Sequence, residues 1–418
     1  MRDLRRPTGG RRTADEPWMK GSFVEINRRE FVKAGTYAAL ANATAKAEER
    51  EYQVGAYYFP NWHVDPRNEQ VHGQGWTEWE ILKRGEPKFP GHVQPKRPAW
   101  GFEDESDPRV FEKKITAAYT SGISHFIFDW YWYEGKPFLE RALERGYLRA
   151  GNKKDVRFCL MWANHDWFNL MPARLHEQTR PLLYKGTYDA AEFETATDYV
   201  ISHYFSEPSY FTVVGEPYFS IYELKHMIDR MGGIEVAKTA LARFREKTKS
   251  AGFPDLHLNA VAWGVSEIAD VKQLLSDLNV KSVTSYSWVH HDTFPTFPSS
   301  DYQGAAERAQ SYWAKAKDLF EVPYHLDISV GWDPSPRTCQ SDIYMQTEYP
   351  FTSILTNNSP ELFQMALQQA RSFLDKHRDR PRILSINSWN EWTEGSYLEP
   401  DSVHGMGYLD AIRNVFGS

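Results

Sequence analysis

The stretch Arg382-Ile383-Leu384-Ser385-Ile386-Asn387-Ser388-Trp389-Asn390-Glu391-Trp392-Thr393-Glu394-Gly395 passes abruptly from apolar to polar and aromatic. Its first six residues read as a short buried strand. The remainder, running on through Ser396-Tyr397-Leu398-Glu399-Pro400, combines Trp-Asn-Glu-Trp with Gly and Glu-Pro and is poor helix material. Three-residue spacing is also how a helix places solvated surface glutamates, but this context argues against a helix. Glu391 and Glu394 therefore stand where the strand ends, among two tryptophans and Tyr397. Carboxylates beside indoles suit cleavage of sugars. The rings stack on the apolar faces of pyranoses, and apolar surroundings raise one carboxyl pKa until it can act as an acid.

Working outward, the same unit recurs through the chain. Apolar runs at 53–59, 125–130, 156–163, 218–222, 256–263, 282–288 and 325–332 precede the one at 382–387. Helical patterns separate them. One is opened by Asp107-Pro108, shows Val110, Phe111, Ile115, Ala118 and Tyr119 on one face, and stops at Gly122. Others are expected through Leu139 to Tyr147, near 188–203, 233–249, 266–277 and 304–319, after Ser359-Pro360, and from about Tyr408. Eight strand–helix units in alternation predict an α/β protein with a parallel sheet and right-handed crossovers. At this length a single (β/α)8 TIM barrel with long βα loops leads over an open doubly wound sheet. No Gly-x-Gly-x-x-Gly or Walker-type loop follows any strand, which weakens the open alternative.

The barrel reading places a site at the C-terminal ends of the strands. Those ends carry Tyr57-Tyr58-Phe59-Pro60-Asn61-Trp62, Asp129-Trp130-Tyr131-Trp132-Tyr133, Trp162-Ala163-Asn164-His165-Asp166-Trp167, Trp263-Gly264, Trp288-Val289-His290-His291-Asp292, Trp332-Asp333 and Trp389-Asn390-Glu391-Trp392. Rings and hydrogen-bonding groups gathered on one mouth would make a saccharide cleft. Tyr57, Asn61, Trp62, Asp129, Trp130, Asn164, His165, Trp288, Trp332, Asp333, Asn390 and Tyr397 are the expected substrate contacts, and Glu391 and Glu394 the catalytic pair. Asp129 could equally cap a helix. His290-His291-Asp292 with His165-Asp166 offers a weaker metal-site alternative; the leading reading needs neither metal nor cofactor. Glu78 and Glu80 form a rival carboxylate pair, whereas Glu103-Asp104-Glu105 reads as a solvated run.

The 418 residues carry a formal net charge of −7 and are 15% aromatic, with 15 Trp. Residues 1–47 hold ten Lys/Arg against five Asp/Glu, which leaves −12 on the rest. An acidic body of this kind argues against nucleic acid or an anionic membrane as partner. Two cysteines, Cys159 and Cys339, exclude a disulfide scaffold. Asn27-Arg28-Arg29-Glu30-Phe31-Val32-Lys33, an apolar stretch from Ala34 to Ala43 and small-x-small sites at 43–47 resemble a twin-arginine export signal. The expectation is a folded barrel over 48–418, exported to the periplasm or secreted, with no span left in a membrane once the signal is removed.

Tyr57-Tyr58-Phe59-Pro60-Asn61-Trp62-His63, Gly75-Trp76-Thr77-Glu78-Trp79, Phe126-Ile127-Phe128-Asp129-Trp130-Tyr131-Trp132, Met161-Trp162-Ala163-Asn164-His165-Asp166 and Asn387-Ser388-Trp389-Asn390-Glu391-Trp392-Thr393-Glu394-Gly395 together are specific. With them the chain, from about Gln53 onward, resembles the glycoside hydrolase family 99-like proteins, a group also labelled glycosyltransferase WbsX-like. The resemblance to the related endo-α-mannosidases implies a (β/α)8 barrel and a retaining pair of glutamates. By position, Glu391 is implied as the base that deprotonates the sugar's 2-hydroxyl and Glu394 as the acid. Thr393 stands where those mannosidases carry His, so their substrate preference does not transfer. The leading expectation is a retaining glycoside hydrolase. A transferase of polysaccharide biosynthesis and a non-catalytic carbohydrate-binding protein are the alternatives.

Overall fold

A computed structural model of the protein describes residues 51–417, apart from 178–179, 187–188, 266–267, 293 and 379–380. The expected export signal lies outside the described residues. Eight strands run in parallel: β1 (Gln53–Tyr58), β2 (His125–Tyr133), β3 (Arg157–Trp162), β4 (Glu216–Ile221), β5 (His257–Val261), β6 (Ser282–Thr284), β7 (Tyr324–Ser329) and β8 (Ile383–Asn387). Each pairs with the next. β8 returns to β1, with Val54 opposite Leu384, and closes the barrel. All eight are almost wholly buried, as strands covered by helices outside and filled by side chains inside must be.

The local signals act as their chemistry dictates. Asp107 accepts from the N–H of Arg109, Pro108 occupies the first turn, and Gly122 ends the helix Pro108–Ser121 at φ 97°. Ser359 caps Pro360–Lys376 in the same way. The expected face of the first helix needs one correction: Tyr119 is 49% exposed, and Lys114 takes a place in the buried stripe with Phe111, Ile115 and Ala118. The helix expected through Leu139 to Tyr147 is instead a π-helical turn, Ala142–Gly146, followed by a 3₁₀ turn, Tyr147–Arg149. There Gly146 packs so closely on the Glu105 carbonyl and the Phe111 ring that a Cβ would not fit. The helix expected near 266–277 begins only at Val271, capped by Asp270. Thr212–Val213 pairs with β4 in a local hairpin. Among the described residues no helix is long and apolar enough to cross a membrane, and both cysteines are free.

The lower barrel is filled by polar rings. His257 and His325 stand 6.0 Å apart, with Tyr218 5.2 Å and 6.0 Å from them. Burial holds both imidazoles down to about 3. The sign follows from linkage. A histidine kept neutral in the fold but titrating near 6.5 when unfolded takes up protons preferentially in the unfolded state between those values. Its contribution is complete above about pH 6.5 and is lost as pH falls towards 3. His325→Phe, which retains a buried ring, is accordingly expected to lose less stability than the wild type between pH 7 and pH 5, read as the change in Tm. Equal losses would contradict a neutral buried His325.

Candidate active site

Side chains alternate along a strand, so every second residue of the strand ends points into the mouth and the others point out to the helices. On β2 this turns Asp129 and Tyr131 inward and Trp130 outward, where Trp130 lies 5.6 Å from Trp162 and 6.5 Å from Tyr204. The inward residues line a cavity of about 430 Å³. Its apolar walls include Phe59, Trp167, Phe168, Trp263 and Trp332, and its polar floor Asp129, Tyr131, Tyr222, Tyr286, Arg337, Tyr349, Glu391 and Glu394.

Glu391 and Glu394 meet at this floor, 3% and 7% exposed. One guanidinium holds both. Arg337 reaches Glu391 Oε2 at 3.0 Å through Nη2 and Glu394 Oε1 at 2.5 Å through Nη1. A third carboxylate, Glu78, accepts from Arg337 Nη2 at 3.0 Å and Nε at 3.1 Å. Thr393 donates to Glu78 and accepts from Arg337 Nε at 2.9 Å. Tyr349 donates to Glu394 Oε1 at 2.7 Å. On the far side Tyr286 sits 3.0 Å from Asp129 Oδ2 and 3.2 Å from Glu391 Oε1, bridging the two carboxyls.

Burial, and then the neighbouring Glu394, push the Glu391 carboxyl well above the ordinary carboxylate range, with Arg337 opposing. Burial does the same to Asp129. Burial works against the charge of Arg337, but its anionic neighbours outweigh it and hold the guanidinium charged. The floor thus combines at least one carboxyl with high proton affinity and a second carboxylate, Glu394, that receives two donors. Such a pair can hold and move protons.

Of the expected contacts, Asp129, His165, Trp332, Glu391 and Glu394 line the cavity. The structure places the others behind it. Trp62 is packed 4.0 Å from Trp79, Trp288 lies 5.3 Å from Tyr302, and Trp130 faces outward. Tyr57 lies beneath Tyr286 at 4.6 Å. Asn61 donates to Glu78 at 2.8 Å, and Asn164 brackets the backbone of Glu223 at 3.0 and 2.8 Å. Asp333 is held by His92 at 2.8 Å, Gln94 at 2.6 Å and Ser335 at 2.6 Å. Asn390 clamps the backbone of Phe59 at 2.8 Å from both its amide atoms, and Tyr397 donates to Asp401 at 2.8 Å. The convergence expected of the strand-end tryptophans is therefore partial: Trp167, Trp263 and Trp332 line the cavity, whereas Trp62, Trp130, Trp162, Trp288 and Trp389 do not. Tyrosines take their place.

The metal alternative is not assembled. His290 faces Tyr222 at 3.1 Å, His291 stacks on Tyr312 at 4.2 Å, and Asp292 accepts from Arg308 at 2.8 Å. Among the described residues no group of three or more His, Cys, Asp or Glu is placed to hold a metal ion. Of the rival carboxylates, Glu78 is drawn into the floor, Glu80 pairs with Lys83 at the surface, and Glu105 is fully buried rather than solvated. The sequence reading missed Arg337, Tyr222, Tyr286 and Tyr349 as floor residues, and placed Tyr131 at a strand end without counting it among the contacts. Tyr286 had a signal, since it lies two places beyond the strand residue Thr284. Arg337 and Tyr349 lie in a long loop with no periodicity to expose them.

Over residues 54–412 the chain matches the family described as Glycosyltransferase WbsX. An uncharacterized protein WxcX from Xanthomonas campestris pv. campestris (strain B100) is 29% identical over 407 residues, covering 93% of this chain and 54% of the relative. The chain spans about half the length of the curated relatives it matches. A family 99 endo-α-mannosidase from Bacteroides thetaiotaomicron superposes with a TM-score of 0.51 at 13% identity, covering 87% of this chain and 95% of that one. A glycoside hydrolase-like protein gives 0.57 at 15% identity, covering 88% and 95%. At these identities the likeness is one of fold. With its match extending from residue 54 to residue 412, the chain belongs to the WbsX glycosyltransferase family, and its barrel has the fold of the family 99 endo-α-mannosidases.

Proposed function

We propose that the protein is a glycan-active enzyme, a retaining glycoside hydrolase that cleaves a polysaccharide or oligosaccharide with Glu391 and Glu394. The observation that carries this reading is the meeting of these two buried glutamates on one guanidinium, at the floor of a cavity walled by aromatic rings. Glu394 receives Arg337 and Tyr349 on Oε1, which leaves Oε2 to carry a proton to the departing oxygen. Glu391 acts on the anomeric centre, either directly or by taking the proton of the 2-hydroxyl so that this oxygen attacks. Its raised proton affinity suits a base that must deprotonate a weakly acidic hydroxyl. Glu394, now ionised, then activates water. Export of the folded barrel by the twin-arginine segment would place the enzyme where polysaccharides are met.

A second reading has support in the family's description as a glycosyltransferase. The same pair would then deliver the sugar to an acceptor hydroxyl instead of water. Mass-spectrometric product analysis on a panel of bacterial and plant polysaccharides, comparing wild type with Glu394→Gln, separates the readings. Oligosaccharides released by the wild type alone establish hydrolysis, and products lengthened by acceptor establish transfer. Binding without any product would make the protein a carbohydrate binder and overturn both.

Trp263 offers a test of the cavity itself. It is 41% exposed on the cavity wall and stands 4.4 Å from His290, so one indole face is open for a sugar ring. Trp263→Ala is expected to weaken glycan binding by about 1.5 kcal/mol, roughly tenfold in Kd, with kcat little changed. Isothermal titration with the identified glycan reads this directly.

A further inference from the structure

Beside the end of β1 and the segment that follows β8, away from the cavity, lie three further buried charges. Lys114, in the apolar stripe of the helix Pro108–Ser121, is 1% exposed. Its ammonium pairs with Glu105, lies 2.6 Å from Glu399 Oε1 and 3.2 Å from the Tyr58 hydroxyl. None of the three charged side chains is among the described residues that line the cavity. A lysine and two glutamates in a protein interior are costly to desolvate, and apolar residues of similar volume are often at least as stabilising. Their retention here asks what they hold.

They hold the residues on both sides of Glu391. Trp389 Nε1 donates to Glu399 Oε1 at 2.9 Å, and Trp392 Nε1 donates to Glu399 Oε2 at 2.7 Å. Asn390 donates to Glu105 Oε1 at 3.0 Å while clamping the backbone of Phe59. Positions 389, 390 and 392 are therefore suspended from one charge cluster, and the side chain of 391 faces the opposite way, into the cavity. We propose that the Lys114–Glu105–Glu399 cluster is a positioning device that fixes Glu391 on Arg337 by gripping Trp389, Asn390 and Trp392. The inference rests on the reading of Glu391 as a reacting carboxylate. Charge-assisted N–H···O⁻ bonds are shorter and more directional than neutral ones, so a carboxylate bridging two indoles sets the turn between them. Burial pushes the Glu105 carboxyl up to about 7, with Lys114 opposing, and the ammonium stays paired with both glutamates. Trp392 also stacks on Tyr397 at 3.7 Å, which leaves its indole little freedom to follow a displaced partner.

The test compares Glu399→Gln, which keeps shape but removes the charge, and Trp392→Phe, which removes one donor. Each is assayed for kcat, KM and Tm, and its crystal structure is determined. Glu399→Gln is expected to lower kcat by ~10²-fold with KM nearly unchanged, since a misplacement of about 1 Å at a reacting group has that effect. Trp392→Phe is expected to lower kcat by ~10-fold, with a lowered Tm as well because a smaller ring replaces a fully buried indole. In both crystals the Glu391 carboxylate should leave Arg337 by about 1 Å or more. A lowered Tm with unchanged kcat, and Glu391 still on Arg337, would overturn the proposal and leave the cluster purely structural. If the wild type cleaves no glycan, the reaction reading fails by itself, and the Glu391–Arg337 distance in the Glu399→Gln crystal still decides whether the cluster positions that side chain.

Discussion

Glu394→Gln is expected to reduce turnover of an unactivated glycan by ~10³-fold, because a departing sugar oxygen without a proton is a poor leaving group. The loss of the first chemical step should shrink strongly on an aryl glycoside whose leaving group needs no protonation, and added azide should restore the second step by replacing the water that Glu394 activates. Glu391→Gln should lose a comparable factor on every substrate, whatever its leaving group. The pH dependence separates the two glutamates further. Glu391 must be ionised to act, and burial together with Glu394 raises its proton affinity. Activity should therefore fall as pH drops through a value well above about 4.3, where an ordinary Glu titrates. Measuring kcat/KM from pH 4 to pH 9 checks the sign. A rate that rises as Glu391 gains its proton would exchange the two roles.

Arg337 is the second position where a large effect is expected. Removing it as Arg337→Met leaves Glu78, Glu391 and Glu394 buried around an apolar side chain. Stripping one partner from a buried ionic group costs about 3–5 kcal/mol. The carboxylates can escape part of that cost only by taking up protons. The fold then binds more protons than the unfolded chain, so the variant loses stability as pH rises, and its deficit against the wild type should be larger at pH 8 than at pH 5. Thermal unfolding at the two pH values reads this. Turnover should fall by ~10²-fold or more, since the donor that holds the pair in place is gone. Arg337→Lys keeps the charge but lacks the planar fork that spans two carboxylates, so it should recover stability far better than activity. A Tm insensitive to either change would show that the three glutamates need no common counter-charge.

Much of this molecule is written locally. Asp107-Pro108 with Gly122 and Ser359-Pro360 mark helix ends because capping groups satisfy backbone donors within a few residues. The apolar runs become strands because each is buried on both faces, and eight of them separated by helices leave closure as the compact solution. Glu391 and Glu394 were legible because they stand directly past the last strand, where the barrel opens. Strand alternation was legible too, and attending to it separates Asp129, which faces the cavity, from Trp130, which does not.

Tertiary structure alone decided who joins that pair. Arg337 lies 54 residues before Glu391, in the loop after β7, and Glu78 lies in the loop after β1. No periodicity links them, because loop residues are brought to the mouth by the closure of the barrel and not by their neighbours in sequence. Glu105 and Lys114 make the same point from the other side. A Glu in an acidic run and a Lys on a helix are ordinarily solvated, and only the packing of that helix beside β1 and the segment after β8 buries them together. Sequence by itself determined the barrel and the two glutamates at its mouth. The tertiary structure decided which charges surround them, since charges far apart in the chain become neighbours only when eight strands close into one ring.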